Sequence, residues 1–265
     1  MIIVGELINA SRKAVAGAIE EQDGASIAAL AKHQQEAGAQ YIDLNAGVFV
    51  DCEGKYLKWL VQTTQEATGA RCCIDSPDPK AIEAALSVHK GEAMINSISL
   101  EKERRDTLLP IVAGTGVNVV ALCMSDQGMP RTADERLHIA DQLITMLTRS
   151  GIAMSSIFVD PLVQPVATDS SFGMEFLIAV ERIMTGFPGV HTICGLSNVS
   201  YGLPQRKLLN RTFMAMAVER GLDAAIVNPL DGKMMAAIFS AEALTGRDES
   251  CINYIRAFRQ KKLDN

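Results

Sequence analysis

GAQYIDLNAGVFVDCEGKYLKWLVQTTQEATGARCCIDSPDPKAIEAALSVHKGEAMINS, residues 38–97, decides the fold. Three short, largely apolar runs (40–45, 71–75 and 93–97) alternate with two longer stretches of helical period (55–68 and 79–88). The runs are near-continuously apolar, which reads as strands buried on both faces, the condition of a parallel sheet. Such strands need crossover helices, and the intervening stretches supply them. Gly69 and Gly91 stand where a helix closes in a left-handed residue. Pro79 opens a helix, where its missing N–H is not needed.

The same unit recurs in both directions from this stretch. Runs at 2–5, 117–124, 157–163, 191–197 and 224–228 bring the strands to eight, and helical periods occupy 26–37, 132–148, 174–184 and 233–244. Gly38, Gly151 and Gly221 are read as further helix ends. Eight βα units in 265 residues, 48% of them hydrophobic, predict an α/β fold of one domain, a TIM (β/α)8 barrel over residues 1–265. An open doubly wound sheet also fits alternating elements, but the glycine-rich turn that usually follows its first strand is missing.

Composition removes several function classes. A net charge of −6 with scattered Lys and Arg offers no basic stripe for a row of phosphates, so no nucleic-acid partner is expected. No apolar stretch reaches the roughly 20 residues of a bilayer span, and the opening MIIVGELIN has no basic leader, so neither membrane insertion nor export is expected. Cys52, Cys72, Cys73, Cys123, Cys194 and Cys251 form no CxxC pair, and several lie in apolar runs. That usage fits a reduced, cytoplasmic protein.

In a parallel barrel the reactive groups sit at the C-terminal ends of strands. Here those ends read Glu6 and Asn9, Asp43 and Asn45, Asp75 and Ser76, Asn96 and Ser97, Met124 and Ser125, Asp160, Ser197 and Asn198, and Asn228 with Asp231. Asp, Asn and Ser also end strands and cap helices in any α/β protein, so one such residue says little. A whole set converging on one mouth says more. Carboxylates accept from amino and ring N–H groups, and amides both donate and accept, so the set suits a flat, nitrogen-rich heterocycle rather than a phosphate. His33, His89 and His138 fall in predicted helices and His191 starts a strand, with no pair at ligand spacing; no metal site is expected, although acidic strand ends leave room for a hard cation. No Ser or Cys occupies a nucleophile elbow.

GELIN (5–9), YIDLNAG (41–47), CIDSPDPKAIEAAL (73–86), AMINSIS (93–99), VDPLV (159–163) and GLSNVSYGLPQRKLLNRTFMAMA (195–217) resemble the methyltetrahydrofolate:corrinoid methyltransferases, relatives of the folate domain of cobalamin-dependent methionine synthase. Dihydropteroate synthase is a more distant cousin. The likeness runs from Met1 to about Asp231. It implies a TIM barrel, tetrahydrofolate or methyltetrahydrofolate as substrate, a corrinoid protein carrying cobalamin as partner, and a homodimer. It further implies that Asp75, Asn96 and Asp160 bind the pterin and that Asn198 lies beside N5, where its amide meets the charge developing on nitrogen. Glu6, Asn9, Asp43, Asn45, Ser97, Ser197 and Arg206 would complete the pocket. Leu7 departs from the family's GERIN, so any role of that arginine falls to other donors. The direction of transfer stays open, as do two alternatives: a pterin-binding module without chemistry, and a dihydropteroate-synthase-like condensation, which needs a basic pyrophosphate pocket.

Overall fold

A computed structural model describes residues 1–263. Eight parallel strands, β1 (Ile2–Asn9), β2 (Tyr41–Asn45), β3 (Arg71–Asp75), β4 (Met94–Ile98), β5 (Asn118–Leu122), β6 (Ile157–Asp160), β7 (His191–Thr192) and β8 (Ala224–Val227), follow one another around a barrel in the order β7-β6-β5-β4-β3-β2-β1-β8. The circle closes where Gly195 bridges Ile226, with Ile226 N–H donating to the Cys194 carbonyl at 2.9 Å.

Ten helices wrap the described chain: α1 (Lys13–Glu20), α2 (Gly24–Glu36), α3 (Glu53–Thr68), α4 (Pro79–Leu86), α5 (Lys102–Val112), α6 (Ala133–Arg149), α7 (Phe172–Gly186), α8 (Arg206–Glu219), α9 (Gly232–Leu244) and α10 (Ile252–Arg259). Both faces of the strands are buried, as their apolar runs require. Val4, Tyr41, Cys73, Met94, Val120, Phe158, Ile193 and Ala224 fill the barrel interior, and a larger apolar layer lies between strands and helices. Burying one such side chain stabilises by about 1.5–3 kcal/mol, so the interior is a packed plug rather than a channel.

The eight expected strands are all present, β3 with the expected bounds and the others with changed ones. β1 runs four residues further than the 2–5 expectation and carries a bulge between Gly5 and Ile8. The buried Gln34 of α2 stabilises the bulge, its Oε1 accepting from Leu7 N–H at 3.0 Å. A Cβ on Gly5 would stand 2.5 Å from that oxygen and would have to displace the Gln34 amide from the bulge. β5 and β6 end before the expected 124 and 163. Ladder pairing in β7 stops at Thr192, and the chain turns into a short 3-10 segment, Leu196–Ser200, so Ser197 and Asn198 sit on a helical turn past the strand. His89 lies beyond the end of α4, not within a helix, and approaches Cys72 N–H with Nε2 at 3.2 Å. The connections after β5, β6 and β7 span 123–132, 161–171 and 193–205.

Candidate functional site

Side chains alternate across a strand, so the face that packs the barrel interior at one level shows its next residues two positions on. Stepping by two from the interior plug gives Glu6, Asp43, Asp75, Asn96, Leu122, Asp160, Gly195 and Ile226. Acids and amides thus replace hydrocarbon at the C-terminal level of β1 to β4 and of β6. Register sets neighbours side by side: Asn45 pairs with Asp75, Asp75 with Asn96, and Leu122 with Asp160. Asn45 Nδ2 donates to Asp75 Oδ2 at 2.9 Å.

Crowding acids away from water favours their neutral forms. Asp43 is only 2% exposed, and one of its carboxylate oxygens has no hydrogen-bond partner. Burial first, then the charge of Asp75, pushes its carboxyl well above the usual range, against the pull of the Cys73 thiol and the Asn96 amide. Burial also raises Asp75, opposed by the Asn45 hydrogen bond and the charge of Arg104. Asp160 is raised by burial to about 7, opposed by Leu162 N–H, which donates to its Oδ1 at 2.8 Å, and by Arg136. Glu6 is raised by burial and eased by Arg12, whose Nη2 stands 3.2 Å from Oε1. Near Leu7, then, the cation beside a ring acid comes from Arg12.

Several expected site residues have a local structural task. Asn9, Asn45 and Asn228 each accept with Oδ1 from the backbone N–H two residues on, at 2.9, 3.0 and 2.9 Å, the Asx turn that redirects the chain after a strand. Asp231 caps α9 and pairs with Arg211 at 2.8 Å. Arg206 lies behind the Asn198 turn: Nη2 donates to the Ser197 carbonyl at 2.7 Å, Nε donates to Ser200 Oγ at 3.1 Å, and the guanidinium covers the Tyr201 ring. Asn198 itself is exposed, and its side-chain amide has no hydrogen-bond partner among the described residues. It is free to reorient. A cavity of about 170 Å³ beside the mouth is bordered by Glu6, Ser197, Lys207, Asn210, Asn228 and Asp231. A groove of about 920 Å³ between α1 and α2 touches none of the strand-end acids or amides.

Sequence reading missed the cations and acids that reach the mouth from helices. Glu53 of α3 accepts from Ser76 Oγ at 2.5 Å. Arg104 of α5 and the fully buried Arg136 of α6 bind backbone carbonyls just past the ring acids. The bonds that tie Arg104 to Ser76 and Arg136 to Pro161 span 28 and 25 residues, beyond any local spacing signal. No cluster of three or more His, Cys, Asp or Glu with metal-holding geometry occurs among the described residues.

A family model described as "Pterin binding enzyme" matches residues 5–228. The chain belongs to the pterin-binding enzymes. This pterin-binding enzyme is 37% identical over 265 residues to the methylcorrinoid:tetrahydrofolate methyltransferase of Eubacterium limosum, spanning 99% of this chain and 98% of that protein. It is 31% identical over 242 residues to the methionine synthase of Mycobacterium tuberculosis, where the match covers 86% of this chain and 20% of that much longer protein. Among solved structures it resembles a Xanthomonas albilineans dihydropteroate synthase with 4-aminobenzoic acid, with a TM-score of 0.71 at 18% identity over 92% of each chain. That likeness shows a shared barrel fold.

Proposed function

We propose that this pterin-binding enzyme is a methyltransferase that moves a methyl group between N5 of tetrahydrofolate and the cobalt of a corrinoid held by a separate protein. The reading rests on the near end-to-end 37% identity to the Eubacterium limosum enzyme, taken with a mouth of acids and amides that suits a pterin. Methylcorrinoid to tetrahydrofolate, the order in that relative's name, is the direction we infer. As the resemblance implies, the enzyme works as a homodimer, and its cysteine usage fits the cytoplasm. Among the described residues no helix is long and apolar enough to cross a membrane.

Asp75 and Asp160 would accept from the amino and ring N–H groups of the pterin, and Asn96 would complete the edge. Burial prepares these acceptors, because a hydrogen bond to a desolvated carboxylate is stronger than one in water. Asn198, unattached and next to the mouth, would turn its amide toward N5 as charge develops there. A bond that strengthens only in the transition state raises rate rather than affinity. By microscopic reversibility the same amide serves both directions. Val48, Val50, Met129, Tyr201 and Leu230, all large apolar side chains exposed in the segments that follow strands, lie toward the mouth end of the barrel and fit a docking protein partner. The corrinoid supplies a cobalt centre able to hold and release the methyl group; the chain's own part is binding, orientation and hydrogen bonding.

Mixing the protein with methyltetrahydrofolate and chemically reduced cobalamin should give the absorbance change of cobalt methylation. Asn198→Ala should slow that change by about 10²-fold while folate affinity changes little. Equal losses in rate and affinity would remove Asn198 from its role. Folate binding with no methyl transfer in either direction would favour a non-catalytic pterin module.

A further inference from the structure

Arg104 projects from α5 to the ends of two other elements. Its Nε donates to the Ser97 carbonyl at 2.7 Å, Nη2 donates to the Ser76 carbonyl at 2.7 Å, and Nη1 donates to the Pro77 carbonyl. Those carbonyls directly follow Asp75 and Asn96, adjacent ring residues on β3 and β4. A planar guanidinium can serve three acceptors in fixed directions, which a single ammonium cannot. Burial lowers the Arg104 pKa, opposed by the charges of Asp75, Glu101 and Glu53. Arg136 repeats the device beside Asp160, with Nε donating to the Pro161 carbonyl at 2.8 Å and Nη2 to the Leu162 carbonyl at 3.4 Å.

An arginine paired directly with a ring carboxylate would occupy the oxygens a ligand needs. Bound instead to the carbonyls behind it, the cation orients the loop and leaves the acid's acceptors facing the mouth. We propose that Arg104 is a positioning residue for pterin recognition, locking the spacing of Asp75 and Asn96 through the Ser76, Pro77 and Ser97 carbonyls. This rests on the reading of Asp75 and Asn96 as pterin-facing. Burial raises the Asp75 carboxyl, and the same cation opposes that rise alongside the Asn45 hydrogen bond. Around that carboxyl stand the Asn45 amide and the Asp43 carboxyl from β2, Glu53 from α3 and Arg104 from α5, with Cys73 below on β3 and Glu6 acting through Asp43. Arg104 is the cation of this group, so its removal leaves Asp75 protonated to higher pH.

Carbon-13 titration of the Asp75 carboxyl in ligand-free protein tests the charge arm, and calorimetry with tetrahydrofolate tests the spacing arm. Arg104→Gln should move the Asp75 midpoint upward and weaken tetrahydrofolate binding at neutral pH by about tenfold or more. Arg104→Lys should keep the midpoint near the wild-type value yet still lose affinity, because one ammonium cannot hold three carbonyls. An unmoved Asp75 midpoint in a folded Arg104→Gln protein would overturn the proposal, as would wild-type affinity in Arg104→Lys, which decides the matter if the Gln variant does not fold. Should Asp75→Ala keep full tetrahydrofolate affinity, the pterin reading of Asp75 fails separately, and the titration still reads the coupling to Arg104.

Discussion

The two ends of the barrel use similar polar side chains to opposite effect. At the N-terminal end Tyr41 Oη accepts from Asn118 Nδ2 at 2.7 Å and from Arg71 Nη1 at 3.3 Å, and Arg71 pairs with Glu92 at 3.1 Å. His191 Nδ1 stands 2.6 Å from Asp223 Oδ2, Thr192 N–H donates to Asp223 Oδ1 at 2.8 Å, and the imidazole stacks on Phe158. At the C-terminal end Asp43 keeps an oxygen with no partner, and four acids are pushed toward their neutral forms. The first end pairs its charged and phenolic groups, leaving only the neutral Thr192 hydroxyl of this cluster without a partner, and is structural. The other is unfavourable on its own, a cost a ligand with matching N–H groups would remove.

The contrast predicts that mutations at the mouth cost binding and those at the base cost stability. The largest effect is expected for Asp160→Asn, which should weaken tetrahydrofolate binding about 10²-fold at pH 8, measured by calorimetry. The same change should stabilise the ligand-free protein above neutrality. The Asp160 carboxyl is raised to about 7 in the fold, so folding favours the bound proton, and wild-type stability falls as pH climbs from the ordinary carboxylate range through about 7. Denaturant melts at acid and alkaline pH should show that slope reduced in the variant, by on the order of 1–3 kcal/mol at pH 8. An unchanged slope would place Asp160 among the satisfied groups and break the contrast.

Asn118→Ala at the base should do the reverse. It removes the short donor to the buried Tyr41 hydroxyl, costing about 1–3 kcal/mol of stability, while tetrahydrofolate affinity stays within about twofold. The smallest effect is expected for Asp223→Asn. Asp223 raises the His191 pKa, chiefly through their hydrogen bond, so the stability this pair adds is fully present below the ordinary histidine value and is lost as pH rises through the raised one. The variant should therefore be about 0.5–1 kcal/mol less stable than wild type in mildly acid melts and converge with it in alkaline ones. A deficit independent of pH would assign the loss to the Thr192 hydrogen bond instead.

The mouth was legible in the sequence because strand periodicity is a local property. Once YIDLN is read as a strand with Tyr41 facing inward, Asp43 and Asn45 must face inward too, and the same step of two finds Asp75, Asn96 and Asp160. What supports the mouth was not legible. Gln34 meets Leu7 across 27 residues, and Arg104 meets Ser76 across 28, contacts fixed by how helices lie on the barrel and not by any spacing along the chain. Arg206 stood out only within a motif, which could not tell a side chain facing the pocket from one holding the turn behind it. The 3-10 turn carrying Asn198 was hidden for a related reason: Ile193, Cys194 and Leu196 are as apolar as a longer strand would be, and the break comes from closing the barrel against Ile226.

That closure has a dynamic consequence. β6 and β7 share two register pairs, and beyond them β7 and β8 meet at the single Gly195–Ile226 bridge, whereas β1 and β8 share four pairs. The seam is the least-bonded joint in the wall, and Asn198 lies three residues past it. Backbone hydrogen exchange should therefore be faster at Ile226 than at the flanking β1 amides, reporting local opening well below the global unfolding energy. A barrel rigid on seven sides and loose on the eighth gives the Asn198 amide room to move without loosening Asp43, Asp75 and Asp160.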